Sequence, residues 1–253
     1  MKETVTFVGN GNMALSIAQG LKEQFDIEVA GRSIQSVERF EEKLGVNVKK
    51  ALLEDFDITD KTVILCVKPA NIQEVGLKLA GDAKEFYSVL AGTSLEKIKG
   101  CIKAKAYIRA MPNLAASVGE SLTTLTGDEA LKEKASKLFE AVGQTVWLAS
   151  EKELDIATAV AGSGPAYLAL VHEALCDSAV KQGMKRDDAV KVANGLFKGF
   201  GELIPSTHPA ILKDGVMSPG GTTAAGYAAL EENGVRNGFI KAVEAAYKIT
   251  QGK

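Results

Sequence analysis

The sequence predicts a two-part α/β chain: a doubly wound, mostly parallel sheet over residues 1–149, followed by an all-helical dimerisation domain over residues 150–253. Three observations carry this reading. Short apolar runs alternate with helical periodicity through the first half, and a glycine-rich turn joins the first run to the first helix. Beyond about Ala149, strand-like alternation disappears and alanine-rich helical stretches take over.

The first strand is expected at residues 4–8 and the first helix at 13–25, where Met13, Ile17, Leu21 and Phe25 recur every four residues and would lie on the sheet. Further strands are expected at 27–30, 62–67, 86–90 and 106–108. Residues 121–126 lead into a helix over 128–142 and a last strand at 145–148, for a sheet of six to eight strands. In the second half, Gly162-Ser163-Gly164 reads as a break before a helix over 165–181, with proline at its start and a stripe of Leu168, Val171, Leu175 and Ala179. Helices over 187–203, 224–231 and 234–249 complete the chain. Small helical domains with wide Ala and Gly faces often bury them against a second copy.

Composition excludes several classes. Thirty Lys and Arg against 32 Asp and Glu leave a formal charge of -2, and no block of five like charges suggests a nucleic acid or membrane surface as partner. Cys66, Cys101 and Cys176 are few and scattered beside only two histidines, so neither a disulfide framework nor a metal site is expected. No apolar run is taken to approach the roughly 18 residues that span a bilayer, and no secretory leader is read at the N-terminus, so the expected location is the cytoplasm.

The strand Val5-Thr6-Phe7-Val8 runs into Gly9-Asn10-Gly11-Asn12-Met13-Ala14 and then a helix, which is the dinucleotide fingerprint of a Rossmann domain with alanine at the third small position. Gly9 permits the tight turn, Gly11 the close approach of backbone to a pyrophosphate, and Ala14 the packing of helix on strand. An NAD-binding chain should carry Asp or Glu at the end of the second strand; here stand Gly31-Arg32-Ser33, and Glu28 falls too early. Arg32 and Ser33 suit a 2′-phosphate, which points to NADPH with NADH as the weaker substitute; a solvated surface arginine is the alternative. Val67-Lys68-Pro69 and Met111-Pro112-Asn113 follow later strands, where Lys68 and Asn113 fit either the ligand crevice or loop punctuation.

Ser218-Pro219-Gly220-Gly221-Thr222-Thr223 opens onto a helix and fits either of two descriptions. It is a small-anion site made of backbone N–H groups, or a glycine-rich turn capped by Thr222.

Taken in order over nearly the whole chain, residues 9–14, 67–69, 111–113, 162–167 and 218–223 resemble the pyrroline-5-carboxylate reductases. The resemblance implies NADPH-dependent reduction of 1-pyrroline-5-carboxylate to L-proline, the last step of proline biosynthesis, in a homodimer that assembles further into a ring of five dimers. It implies that residues 9–14 hold the pyrophosphate, that Arg32 and Ser33 hold the 2′-phosphate, and that Val67, Lys68, Pro69, Ala91, Gly92 and Asn113 lie toward the nicotinamide. Ser218, Gly221 and Thr222 would bind the substrate carboxylate, while Thr223 orients the ring nitrogen and serves as a proton relay. Gly31 departs from the asparagine common in the family.

Two rivals are weaker. A β-hydroxyacid-dehydrogenase-type reductase needs a catalytic lysine after its Gly-rich segment, and no lysine follows residue 167 until Lys181. A non-catalytic NADPH-binding or redox-sensing protein has no use for residues 218–223. His172 and His208 read as structural.

Overall fold

A computed structural model describes residues 2–251. The first half forms β1 (Thr4–Val8), α1 (Asn12–Leu21), β2 (Asp26–Gly31), α2 (Ile34–Leu44), β3 (Lys49–Leu52), β4 (Thr62–Leu65), α3 (Ile72–Gly76), β5 (Glu85–Ser88), α4 (Leu95–Cys101), β6 (Tyr107–Met111), β7 (Ser121–Gly127), α5 (Lys132–Glu140) and β8 (Gly143–Trp147). These strands make one eight-stranded sheet in the order β8-β7-β6-β5-β4-β1-β2-β3. Every pairing is parallel except β6 with β7. Strand order therefore reverses at β1, which creates a crevice at the carboxyl ends of β1 and β4.

The sheet is buried on both faces because its strands alternate between two cores. Phe7, Val29 and Ile64 pack into one with Ile17 and Leu21 of α1 and Phe40 of α2. Val8, Ala30, Val63 and Leu65 pack into the other with Ile72 of α3 and Ile98 of α4. Helix α1 ends four residues earlier than its apolar spacing suggests, since the chain turns at Lys22 to enter β2, yet Phe25 still packs on the same core. Strand β3 had no apolar run to announce it: it is a short edge strand of sequence KKAL, mostly exposed.

Glu28 lies inside β2 at 1% exposure, accepting hydrogen bonds from Lys49 and Lys61, both at 2.8 Å, and from Thr6 at 2.7 Å. Burial pushes its pKa up, but the bonds from Lys49, Lys61 and Thr6 outweigh that and leave it below its ordinary 4.5. A carboxylate with a lowered folded pKa contributes stability above the unfolded value and loses it as pH falls through the folded one. Glu28→Gln should therefore be less stable than the parent at neutral pH, with the gap closing as the pH falls below 4.5 and through the lowered folded value. Urea unfolding at neutral and acid pH checks this; a gap independent of pH would show that the ionised form contributes nothing.

By packing, the chain divides into two units. One runs to Pro165 and includes the end of the chain from Ala246; the other is Ala166–Ala245. The division falls inside helices, not at the 149/150 junction where composition changes. After α6 (Glu151–Ala157) the chain makes a π-helical turn over Thr158–Gly162 and continues as α7 (Gly164–Lys181). Gly162-Ser163-Gly164 is thus a widened turn, with the Ser163 N–H donating to the Thr158 carbonyl, and not a break. This corrects the expectation of no long apolar run. Glu151–Lys181 is long and apolar enough, by length and composition, to cross a membrane, because neutral small residues fuse two apolar halves.

The second unit continues with α8 (Arg186–Leu203), α9 (Pro209–Gly215), α10 (Thr222–Glu232) and most of α11 (Val235–Thr250). Its buried apolar cluster among the described residues is Cys176, Ala189 and Ala193. Leu168, Leu170, Val192, Leu196 and Phe200 are each half exposed or more. So much exposed apolar surface on so small a body marks an interaction face.

Candidate functional site

In the first unit a cavity of about 560 Å³ opens at the switch point. Its floor is the turn after β1. Gly9 has φ +101°, and a Cβ there would lie 2.5 Å from the Cys66 carbonyl oxygen. No side chain can be accommodated, so the chain passes tightly between β2 and β4, with the Gly9 N–H donating to the Ala30 carbonyl. Gly11 is the N-cap of α1 and offers no side-chain cap. A Cβ at Gly11 meets no atom within 4 Å, so the first-turn N–H groups stay open to the cavity, a cradle suited to a pyrophosphate.

Of the predicted cofactor residues, Gly9, Asn10, Gly11, Asn12, Arg32, Val67 and Lys68 line this cavity. Others lie behind or beyond it. Ala14 is fully buried against the sheet and Met13 packs on the same core, so both support the loop from behind. Ser33 caps α2 by accepting the Ser36 N–H, and Pro69 opens a 3-10 turn. Ala91 and Gly92 follow β5; Gly92 has φ +60° and packs against the Thr250 backbone. Asn113 accepts the Ala115 N–H and donates to the Ala161 carbonyl.

Sequence reasoning missed several lining residues, among them Ser36, Arg39, Phe40 and Lys43 on α2. Their spacing puts them on one face of α2, but nothing in the sequence says that this face meets the cavity. Cys66 also lines the cavity, and burial pushes its thiol pKa far up, so it is no nucleophile at neutral pH.

In the second unit, residues 218–223 form a tight turn. The Gly221 N–H donates to the Ser218 carbonyl at 3.0 Å and Gly220 has φ +71°, the pattern of a type II turn with Pro219 at its first corner. Gly221, with φ -79°, is the N-cap of α10 and makes no side-chain cap. Thr222 is the first helical residue, so the alternative in which Thr222 caps the helix is not what forms. Ser218, Thr222 and Thr223 are exposed and the α10 N–H groups are uncapped by any side chain, an arrangement able to hold a carboxylate.

The histidines are structural. His172 bonds Asn194 at 2.9 Å and stacks edge-on to Phe197, joining α7 to α8, while His208 caps α9. No cluster of metal-binding side chains occurs among the described residues.

Comparison with known proteins agrees with both halves of this description. Residues 151–252 match the family described as pyrroline-5-carboxylate reductase dimerisation, and residues 4–91 match that described as NADP oxidoreductase, coenzyme F420-dependent. The chain is 36% identical to a pyrroline-5-carboxylate reductase of Thermus thermophilus, over 96% of this chain and 95% of that one. It is 44% identical to one from Synechocystis sp. over 76% of this chain and 74% of that one. The solved 1-pyrroline-5-carboxylate reductase of Streptococcus pyogenes superposes with a TM-score of 0.88 at 28% identity, covering 99% of this chain and 98% of that one.

Proposed function

The chain belongs to the pyrroline-5-carboxylate reductase family, and from that membership we propose that it reduces 1-pyrroline-5-carboxylate to L-proline with NADPH, the last step of proline biosynthesis. The observation that carries the reading is the presence, in one chain, of a glycine-floored cavity at the sheet's switch point and an uncapped Ser-Pro-Gly-Gly-Thr-Thr turn. The first fits a dinucleotide and the second a small carboxylate.

NADPH, when bound, supplies the hydride. The turn after β1 orients the pyrophosphate through backbone N–H groups, and Arg32 takes the 2′-phosphate, with Ser33 fixing the start of α2 beside it. Val67, Lys68, Pro69, Ala91, Gly92 and Asn113 would serve the nicotinamide half. In the helical unit Ser218, Gly221 and Thr222 hold the substrate carboxylate. Thr223 hydrogen-bonds the ring nitrogen, which aligns the C=N carbon and offers a path for its proton. No strong acid is required, because the ring nitrogen of an imine can be protonated before it binds; its reduction then needs alignment above all. This accounts for the structural use of both histidines.

The exposed apolar faces of α7 and α8 serve a homodimer, which we place in the cytoplasm and expect to assemble into a decamer of five dimers. The same role accounts for the apolar Glu151–Lys181 helix, which lies within the residues matching the dimerisation family.

The test is loss of NADPH absorbance on adding 1-pyrroline-5-carboxylate, with proline identified as product. Cofactor binding without turnover would favour the non-catalytic rival. Arg32→Ala should weaken NADPH by about ten- to hundredfold, the value of a charge-assisted contact of about 1.5–3 kcal/mol, and leave NADH nearly unchanged. Equal loss for both cofactors in a binding titration would remove Arg32 from the 2′-phosphate.

A further inference from the structure

The wall of the cavity beyond Arg32 carries more positive charge than one arginine provides. Ser36, Arg39, Phe40 and Lys43 all line it from α2, at the spacing of a single helical face. Phe40, 3% exposed, anchors that face on the sheet against Phe7. Gly31 lets the first turn of α2 pack closely on the end of β2: a Cβ at that position would lie 2.6 Å from Val37 Cγ2, so a side chain there would make Val37 shift.

Arg32, Arg39 and Lys43 make no ion pair in the described structure, whereas Lys49 and Lys50 just beyond them are both paired. Glu74 is the acidic residue of the lining, and Lys78 bonds it at 3.1 Å. Glu41 of α2 is turned to Lys50. Arg32, Arg39 and Lys43 therefore line one cavity without ion pairs of their own, while the acid of that lining, Glu74, is bonded to Lys78; a bound dianion meets three uncommitted cations there.

Building on the reading of this cavity as a dinucleotide site, we propose that Arg39, supported one turn on by Lys43, is a second determinant of cofactor choice, acting with Arg32 on the 2′-phosphate. A 2′-phosphate carries close to two negative charges, so a second cation discriminates it further from the uncharged ribose hydroxyls of NADH. An arginine stacked on the adenine would instead serve both cofactors equally.

Titrations of the full-length protein with NADPH, NADH, adenosine 2′,5′-bisphosphate and ADP separate these cases. Arg39→Ala keeps a strong helix former at an exposed position and should fold. It should weaken NADPH and the bisphosphate about tenfold, leave NADH and ADP within about twofold, and flatten the salt dependence of NADPH binding. Lys43→Ala should act in the same direction by about two- to threefold, and Arg39→Lys should recover part of the loss. Equal loss for phosphorylated and unphosphorylated ligands, or no loss for either, overturns the proposal. Parallel titration of Arg32→Ala tells two failures apart. Selective loss there with none in Arg39→Ala defeats only this inference, while parent protein that binds NADH as tightly as NADPH defeats the cofactor reading beneath it.

Discussion

Gly221→Val is expected to lower kcat/KM for the imine by on the order of a hundredfold, the scale for losing one preorganised anion donor, while leaving NADPH affinity unchanged. The reason is crowding. A Cβ at Gly221 would stand 2.5 Å from Ser218 Oγ and 3.1 Å from the Ser218 carbonyl oxygen, so a β-branched side chain displaces the Ser218 hydroxyl and crowds the turn that aims the α10 N–H groups. Backbone strain is not the cause, since Gly221 has φ -79°; the left-handed residue of this turn is Gly220, at φ +71°. Gly220→Ala meets no atom within 4 Å and should cost only the conformational penalty of about 1–2 kcal/mol. Thr223→Ala removes a side chain and not the backbone cradle, so it should lower kcat by about ten- to hundredfold with a smaller change in KM. Steady-state kinetics on the three variants, with NADPH titrated separately, gives the order of harm. Full activity in Gly221→Val would mean that the substrate carboxylate binds somewhere other than this turn.

That turn shows what a sequence discloses. Gly9, Gly11 and the Ser-Pro-Gly-Gly segment were legible because each is a local demand of the backbone: a positive φ, a close strand approach, an uncapped helix start. The alternating strands were legible because a sheet buried on both faces leaves a continuous apolar run. Arg39 and Lys43 were not singled out, since on a polar helix they look like any solvated face, and only the position of α2 against the cavity makes them lining residues. The helix through residues 162–164 was misjudged for a related reason. Glycine and serine weaken a helix in isolation, but a single π turn carries the chain through them.

Arg109 was hidden for a stronger reason. The apolar pattern of its strand is interrupted after Ile108, because a guanidinium inside a sheet buried on both faces has no place unless distant residues meet it. They do: Nη1 donates to Glu151 at 2.9 Å and Nη2 to Asp155 at 2.7 Å, partners 42 and 46 residues away. Glu151 also accepts the Leu95 N–H, and Gln251 donates to Asp155, so one buried cation ties β6 to α6, α4 and the end of α11. Arg109 itself is 1% exposed, and its Nε has no partner. Arg109→Met keeps most of the volume but leaves two carboxylates facing a buried surface without their counter-ion. Breaking such a buried pair from one side costs about 3–5 kcal/mol, and the lower end applies here because the Glu151 side chain is 34% exposed and regains water. For a body of this size that corresponds to a fall in Tm of roughly 6–12 °C. Arg109→Lys keeps the charge but cannot fork to both acids, so it should lose about half as much. If the destabilisation comes from stranded carboxylates and not from a cavity, adding Asp155→Leu to Arg109→Met should cost less than the two single losses combined, a coupling that a double-mutant cycle measures. Thermal unfolding of the four proteins decides the matter: strict additivity, or a loss below about 1 kcal/mol in Arg109→Met, would mean that packing and not this ion cluster holds β6 to α6.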